Sequence, residues 1–248
     1  YCRADYSHTK VKRRSSMKDD GYVRLVDSMG SELSIVNAAR ASFDKESKEL
    51  DNKDIGLLKF LVKHKHDSVL RHNFMTFEVL APLMVARQWF KHVVSSTHLD
   101  DGVGWNESSR RYVTENNSYY IPLWDEWRYE AEDKKQGSSS EPMDKDTGVI
   151  LTSIMERHIA KSEELYNEAM RRGIAPEQAR LFLPAYALNV RWRWSASLNA
   201  VLNFLSLRTA SDSQAEIRGY AETIETIVKE QYPNVYEAWL DRTEEEDG

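Results

Sequence analysis

The sequence predicts an α+β fold with a small antiparallel or mixed sheet and a predominantly helical remainder. Two stretches in the first third of the chain, 21–29 and 73–82, carry the β-prone residues and alternation of strands. Three later stretches, 149–173, 194–208 and 213–233, repeat apolar residues at helical spacing. Because strands dominate early and helices late, we expect one sheet that is completed by helices.

The first half of the chain contains two predicted strands and three predicted helices. In order, these are a strand at 21–29, a helix at 31–43, a helix at 52–66, a strand at 73–82 and a helix at 82–92. Gly30 closes the first strand with a turn, and Pro82 suits the first position of the third helix. The second helix is amphipathic, with Leu57, Phe60 and Leu61 on one face.

The second half is predicted to be helical after a polar interruption. Its elements are an exposed excursion within 114–147, a long helix at 149–173 that ends at a glycine, a short helix within 175–184, a helix at 194–208 that is apolar nearly all round, and a last long helix at 213–233. We expect a flexible N-terminal tail at 1–18, one domain at 19–241 with the exposed excursion at about 130–147, and an acidic C-terminal tail at 242–248.

Composition excludes several classes of protein. The chain of 248 residues is 41% hydrophobic, and no apolar stretch is long enough to cross a membrane. A single cysteine, Cys2, rules out an intramolecular disulfide and suits a reducing cytoplasm, or a host cytoplasm if the protein is viral. The net charge of −6 disfavours a nucleic-acid polymer as a partner, although local arginines can still hold one phosphorylated small molecule.

A polar stripe marks the end of the helix that begins at Pro82. Gln88, Lys91 and His92 are spaced i, i+3 and i+4, so they share a face. The stripe is either an ordinary solvated face or one edge of a ligand pocket, since a loop rich in hydrogen-bond donors follows it.

The segment after that loop, 106–112, has the sequence NESSRRY. Arginine suits phosphate because its planar guanidinium donates two parallel hydrogen bonds, and the serine hydroxyls can complete an anion site. Glu107 can accept a hydrogen bond from a ring N–H or a ribose hydroxyl. The alternative is a surface loop in which the glutamate and the arginines pair with one another.

The apolar helix at 194–208 carries polar residues that require partners if it is buried. Ser195, Asn199 and Asn203 are spaced i, i+4 and i+8, and Arg208 ends the helix. Each hydrogen bond that a buried amide fails to make costs about 1–3 kcal/mol. Either another helix or a polar ligand satisfies these groups.

Other candidate sites are weak. His64, His66 and His72 do not share one helix face and have no cysteine beside them, so we predict no metal site. The segment RWRW at 191–194 could stack on bases but favours packing at the start of a buried helix. The glycine-rich phosphate-binding motifs of the Rossmann and P-loop folds do not occur in the sequence.

Several of these segments together resemble one family, the flavin-dependent thymidylate synthases of the ThyX type. The resemblance covers roughly residues 21–240 and runs through the segment 21–44, the segment 60–92, NESSRRY, APEQARLFLP and LNFLSLR. The family signature is R-H-R followed by N-E-x-S-x-R-Y. Its second half is matched here, whereas Lys91, His92 and Val93 replace R-H-R, and the loop before Asn106 is longer. Lysine keeps the charge but lacks the planar fork, and valine lacks a donor.

The resemblance implies a homotetramer whose active sites lie between subunits, and it implies two sets of binding residues. The expected contacts of the substrate deoxyuridine monophosphate (dUMP) are Gln88, Lys91, Glu107, Ser108, Ser109, Arg110, Arg111, Arg180 and Arg208. The expected contacts of flavin adenine dinucleotide (FAD) are Ser42, His66, Ser68, Lys91, His92, Glu107, Asn199 and Asn203. Among these residues, the catalytic set is expected to be Arg111, Ser109, Glu107 and Arg208.

The activity that the resemblance implies is reductive methylation of dUMP at C5 to give dTMP. 5,10-Methylenetetrahydrofolate would donate the carbon, and FAD reduced by NADPH or NADH would supply the hydride. Two alternatives stay open at this point. A related C5 modification such as hydroxymethylation keeps the flavin and the folate but changes the product, and a non-catalytic nucleotide-binding protein needs no flavin.

Overall fold

The computed structural model describes residues 9–10, 21–92, 104–108, 117–131 and 138–247, with backbone alone for 9–10 and 244–247. Two antiparallel sheets are present in these ranges. The larger has the strand order β1-β2-β3-β7-β4, and the smaller is the hairpin β5-β6. The strands are β1 (Thr9–Lys10), β2 (Tyr22–Met29), β3 (Phe74–Pro82), β4 (Gly104–Glu107), β5 (Arg128–Glu130), β6 (Ser138–Pro142) and β7 (Asn189–Ser197).

Helices make up most of the remainder, as the predicted α+β class requires. They are α1 (Glu32–Arg40), α2 (Asn52–Lys63), α3 (Leu83–Trp89), α4 (Lys145–Arg171), α5 (Pro176–Ala179), α6 (Leu198–Arg208), α7 (Ala215–Gln231) and α8 (Pro233–Asp247). Short 3-10 helices occupy Ala41–Phe43, Asp67–His72 and Arg180–Phe182. In the part of the chain that the structure describes, no helix has the length and apolar character needed to span a membrane.

Local sequence explains where several helices begin. Ser31 and Asp51 each accept a hydrogen bond from the third backbone N–H of the helix that follows, which forms a capping box at α1 and at α2. Gly30, between β2 and α1, has a φ of +89°, and a β-carbon there would collide with the Asn73 side chain. The predicted turn at this glycine is therefore confirmed.

Strand β7 corrects the sequence analysis. Trp192 and Trp194 are buried while Arg191 and Arg193 are exposed, which is the period-two alternation of a strand rather than the start of a helix. The helix predicted from residue 194 begins only at Leu198, after the Ser197 hydroxyl accepts a hydrogen bond from the Ala200 N–H at 3.3 Å. The prediction was wrong here because the alternation of β7 runs directly into the apolar pattern of α6.

Three other predictions need correction. On α2 the buried residues include Leu58, Leu61 and Val62, whereas Phe60 is 53% exposed, so the core-facing side is rotated from the predicted one. Helix α4 begins at Lys145 rather than at residue 149, and the mostly exposed stretch before it contains the β5-β6 hairpin. Helix α8 was not predicted, and it extends into the acidic stretch where a tail was expected.

An aromatic cluster joins the large sheet to the helices that cover it. Trp89 of α3 lies edge-on to Trp192 and Trp194 of β7, each at 5.5 Å between ring centroids, and stacks on Phe204 of α6 at 4.5 Å. All four side chains are at most 1% exposed. These rings hold the end of α3 beside α6, which places His92 next to Arg208.

The N-terminus of α8 is capped from the other end of the chain. The carboxylate of Glu32 accepts hydrogen bonds from the backbone N–H groups of Asn234 (2.7 Å) and Val235 (3.0 Å) and from the Asn234 side-chain amide (2.7 Å). A negative charge at this position also suits the positive end of the helix dipole. The buried Glu32 therefore ties α1 to α8.

We expect Glu32→Ala to lower the free energy of unfolding by about 3 kcal/mol, because it removes a charged acceptor from N–H groups that are shielded from water. Urea denaturation measures the change. Glu237→Ala is the matched control, because Glu237 is an exposed partner of Lys59 and its loss should cost less than about 1 kcal/mol. Equal losses of unfolding free energy in the two variants would show that the Glu32 cap stabilises the fold no more than an exposed ion pair does.

Candidate active site

The C-terminal end of α3 lies against the connection between α6 and α7. The side-chain amide of Gln88 donates a hydrogen bond to the side-chain oxygen of Gln214. The chain turns after Trp89, where the His92 N–H donates to the Trp89 carbonyl at 2.9 Å. At least Gln88 of the predicted polar stripe therefore contacts another part of the protein rather than solvent alone.

His92 and Arg208 form a direct pair at this junction. The Nε–H of Arg208 donates to Nε2 of His92 at 2.9 Å, and the edge of the imidazole meets Phe204 with 4.9 Å between centroids. His92 is 6% exposed. Burial, and secondarily the charge of Arg208, lower the pKa of His92 to about 4. Burial also lowers the pKa of Arg208. At neutral pH a neutral histidine thus faces a charged arginine.

A second set of hydrogen bonds fixes the backbone that follows Arg208. The Ser213 hydroxyl donates to the Arg208 carbonyl at 2.8 Å. Arg218 donates through Nε to the Ser213 hydroxyl at 3.2 Å and through Nη2 to the carbonyls of Ser213 (2.6 Å) and Ser211. Arg218 therefore acts as a brace for the turn between α6 and α7.

Beside this turn lies a polar cavity of about 640 Å³. Its wall is formed by the α6-α7 connection and by the β5-β6 hairpin, and its lining residues are Arg128, Ser138, Ser139, Ser140, Arg208, Ser211, Asp212, Ser213, Gln214, Ala215, Glu216 and Arg218. Arg128 pairs with the buried carboxylate of Glu216 at 2.6 Å, and Arg218 is engaged by the turn. Arg208 is thus the cavity cation best placed to bind an anion or a polarised carbonyl.

Helix α6 connects this cavity to a second polar region. At its N-terminal end the Leu198 N–H donates to the Asn73 carbonyl at 2.8 Å, and the 3-10 helix Asp67–His72 packs against α6. Asn199 is half-buried and Asn203 is exposed on this helix. A rise of 1.5 Å per residue puts the ends of α6 roughly 15 Å apart. The candidate site is therefore elongated.

The predicted polar ladder on this helix has two members rather than three. Ser195 lies on β7, and its hydroxyl is 2.9 Å from the Thr76 hydroxyl of the neighbouring strand β3. That hydrogen bond satisfies Ser195 within the sheet.

Three further residues of the predicted flavin set are exposed. Ser42 lies in the 3-10 helix that follows α1, Ser68 lies in the 3-10 helix Asp67–His72, and His66 immediately precedes it. His66 also faces Phe60, with ring centroids 6.1 Å apart and planes at 23°. Among the described residues, no group of three histidine, cysteine, aspartate or glutamate side chains could hold a metal ion.

The segment NESSRRY is described only at its start. Asn106 and Glu107 belong to edge strand β4, and the Ser108 N–H donates to the Arg191 carbonyl of β7 at 2.8 Å. Gly104 and Trp105, which belong to the longer loop predicted before Asn106, are also in this strand. Trp105 pairs with Trp194 of β7 and stacks on Trp192 at 4.9 Å. Residues 93–103, where the sequence predicted a longer loop, and the residues Ser109, Arg110 and Arg111 lie outside the described ranges.

Arg180 and Lys91 do not line the cavity with Arg208. Arg180 is exposed, and its Nε donates to the Glu177 carbonyl at 3.3 Å. The neighbouring Leu181 is 82% exposed and Phe182 is 48% exposed. Lys91 is exposed at the end of α3. Within one described chain, the predicted substrate residues are thus divided among separate surfaces.

The sequence analysis missed several residues of the cavity wall, namely Arg128, Ser138, Ser139, Ser140, Ser211, Asp212, Ser213, Gln214, Glu216 and Arg218. A signal was present for the group near α7, since a serine-rich turn follows Arg208 and leads into an arginine on the first turn of a helix. No comparable signal pointed to Arg128. It reaches the cavity because it lies in the β5-β6 hairpin, and the polar composition of that region gave no strand pattern.

Comparison with solved structures identifies the class of fold. The structure of the UMP/dUMP methylase PolB from Streptomyces cacaoi bound with 5-Br UMP is similar, with a TM-score of 0.76 and 30% sequence identity, and the match covers 93% of this chain and 98% of that chain. The same methylase bound with 5-Br dUMP matches with a TM-score of 0.76 and 29% identity over 90% and 96% of the two chains. The fold thus belongs to a class that includes a protein named as a nucleotide methylase.

Sequence comparison then gives the family. Proteins named flavin-dependent thymidylate synthase from Thermosipho africanus and Thermotoga neapolitana are each 36% identical to this chain, over 90% of it and 92% of each relative. The family profile described as "Thymidylate synthase complementing protein" matches residues 24–234. The chain belongs to the flavin-dependent thymidylate synthase family, a family of enzymes, and the resemblance stated above is confirmed.

The lowered pKa of His92 predicts a specific loss of stability in acid. The unfolded chain binds a proton on this imidazole near pH 6.5, whereas the folded chain resists protonation down to about pH 4. Because the unfolded state binds more protons in that interval, the free energy of unfolding falls as the pH decreases through it.

Urea denaturation of the wild type and of His92→Gln at several pH values between 7 and 4.5 measures this contribution. The wild type should lose stability more steeply than the variant below pH 6.5, because the variant lacks the titrating ring. Parallel pH profiles for the two proteins would contradict the assignment of a depressed pKa to His92.

Proposed function

We propose that the protein catalyses the reductive methylation of dUMP at C5 to give dTMP. In this proposal 5,10-methylenetetrahydrofolate is the carbon donor, and NADPH or NADH is the reductant of bound FAD. The family match over residues 24–234 supports the reaction class. The observation that carries the proposal is the cavity at the end of α6, where Arg208 is the best-placed cation.

The substrate set combines the cavity with two neighbouring segments. Arg208 lines the cavity, and Gln88 contacts the cavity residue Gln214. Lys91 follows the end of α3, Glu107 ends β4 and Ser108 follows it. We propose that Ser109, Arg110 and Arg111 complete the anion site, because guanidinium groups and hydroxyls together match the geometry of a phosphate. Arg208 and Arg111 would polarise the uracil, and Ser109 and Glu107 would orient it.

Arg180 requires a second protomer in this proposal. It projects from a surface with exposed Leu181 and Phe182, and it does not line the cavity of its own chain. An exposed cation beside exposed apolar residues suits an interface between subunits. We therefore propose a homotetramer in which Arg180 of one protomer completes the site of another.

The described residues fit a flavin. FAD offers a long row of hydroxyls and phosphates together with a flat ring, so it requires an elongated set of neutral and cationic donors. Ser68, Asn199 and Asn203 supply a hydroxyl and amides on or beside α6, and Ser42, His66 and Lys91 would extend the set of donors. The carboxylate of Glu107 would accept a hydrogen bond from a ring N–H or a ribose hydroxyl. When bound, the flavin supplies the hydride chemistry. The residues of this chain bind it, orient the pyrimidine nucleotide and exclude water.

A second candidate substrate is the ribonucleotide UMP. The solved structures with the same fold are of a protein named a UMP/dUMP methylase, and they contain bromo derivatives of both nucleotides. The cavity beside Arg208 is lined by serine hydroxyls that could accept or donate a hydrogen bond to an additional ribose hydroxyl. The same C5 methylation would then act on UMP.

A product assay tests the proposed reaction. We expect the FAD-loaded enzyme, supplied with NADPH and methylenetetrahydrofolate, to convert dUMP into a product whose mass has increased by one methylene group. A product that carries a hydroxymethyl group would favour the alternative C5 modification. Preferential turnover of UMP in a parallel reaction would favour the ribonucleotide, and a protein that binds no flavin would contradict the proposal.

We also expect Arg111→Ala to weaken dUMP binding far more than FAD binding. Losing a charge-assisted contact to a desolvated phosphate should cost about 2–4 kcal/mol. Calorimetric titration of the FAD-loaded variant with dUMP, together with its flavin absorbance, separates the two effects. Arg157→Ala on the exposed face of α4 is a suitable control. Equal losses of nucleotide and flavin would exclude the proposed placement of Arg111.

A further inference from the structure

The pairing of His92 with Arg208 bears on how the nucleotide site is built. The family resemblance implies that His92 contacts the flavin. Its ring is buried, however, and its Nε2 accepts a hydrogen bond from the Nε–H of Arg208 at 2.9 Å. The hydrogen bond uses Nε of Arg208 alone, so the N–H bonds of Nη1 and Nη2 remain for other acceptors. Arg208 also lines the cavity.

We propose that His92 is a positioning residue of the nucleotide site, which acts by holding the guanidinium of Arg208 in the orientation that the ligand requires. This inference rests on the proposed function for the identity of the ligand. The class of ligand follows from Arg208 itself, whose planar fork suits the carbonyl oxygen of a pyrimidine or the oxygens of a phosphate.

The geometry indicates that His92 holds Arg208 rigidly and does not merely touch it. A guanidinium is planar, so a hydrogen bond donated by its Nε–H restricts both the reach and the plane of the whole group. The His92 ring is in turn fixed by Phe204, which stacks on Trp89 in the aromatic core. The Ser213 hydroxyl holds the Arg208 backbone from the other side. Arg208 is therefore constrained at its backbone and at its head group before any ligand arrives.

The chemistry of histidine explains why this residue type suits the position. A neutral imidazole offers one lone pair to an N–H donor, and it adds no charge that would neutralise Arg208. A carboxylate here would pair with the arginine and compete with an anionic ligand. An arginine that is already held in place, and whose charge is not compensated, loses less conformational entropy when the ligand binds.

Two substitutions separate positioning from packing. His92→Phe keeps an aromatic ring against Phe204 but removes the acceptor. His92→Gln loses the ring but can present a carboxamide oxygen near the position of Nε2. His158→Phe, at an exposed position on α4, controls for a histidine-to-phenylalanine change elsewhere.

Calorimetric titration of the FAD-loaded proteins with dUMP provides the main test. We expect His92→Phe to raise the Kd for dUMP about tenfold, with unchanged flavin content, and His92→Gln to restore most of the affinity. In an Arg208→Ala background, His92→Phe should cause little additional loss, since its effect passes through Arg208. Equal affinity in His92→Phe and wild type, or full additivity with Arg208→Ala, would overturn the proposal.

Crystal structures of the wild type and of His92→Phe without nucleotide test the inference independently of the ligand. We expect the guanidinium of Arg208 to leave its wild-type orientation in the variant, and an unchanged orientation would overturn the positioning role. Loss of flavin from His92→Phe, with Arg208 unmoved, would assign His92 to the flavin instead. If the wild type binds neither dUMP nor UMP while Arg208 moves in the variant, the proposed function fails and the positioning role stands.

Discussion

The packing of Trp89 against β7 and α6 is the contact on which the rest of the site depends. One indole brings together the end of a short helix, the centre of the large sheet and the inner helix. Because interiors are packed as densely as crystals, a side chain of this size sets the separation of the elements around it. The positions of Gln88 and His92 relative to the α6-α7 connection follow from that separation.

The polar part of the site shows how a half-buried arginine can remain available to a ligand. Arg128 is paired with Glu216 and Arg218 is engaged by backbone carbonyls, so two of the three arginines at the cavity stabilise its wall. Arg208 instead contacts a neutral ring. A neutral imidazole does not compensate the charge of an arginine, whereas a carboxylate does and would compete with an anionic ligand. The family resemblance names Arg208, but the structure supplies the reason why this arginine differs from its neighbours.

The sequence predicted those features that depend on local pattern. Strand β3 and the start of α3 followed from alternation and from Pro82, and the amphipathic run of α4 predicted a long helix. Strand β7 was missed because its alternation merges with the apolar residues of α6. The contacts of Arg128 and His92 could not be predicted, because each joins residues far apart in the chain, Arg128 to Glu216 and His92 to Arg208. The position of Arg208 in a motif was recognisable, but its partner was not.

The cap that Glu32 provides has a consequence for how the chain reaches this fold. The carboxylate and the amide groups that it satisfies are separated by 202 residues, so α8 cannot acquire its cap until almost the whole described chain has left the ribosome. Closing so large a loop is entropically costly and slow. The sheet and inner helices can assemble beforehand, whereas the docking of α8 against α1 and α2 should be a late event of synthesis.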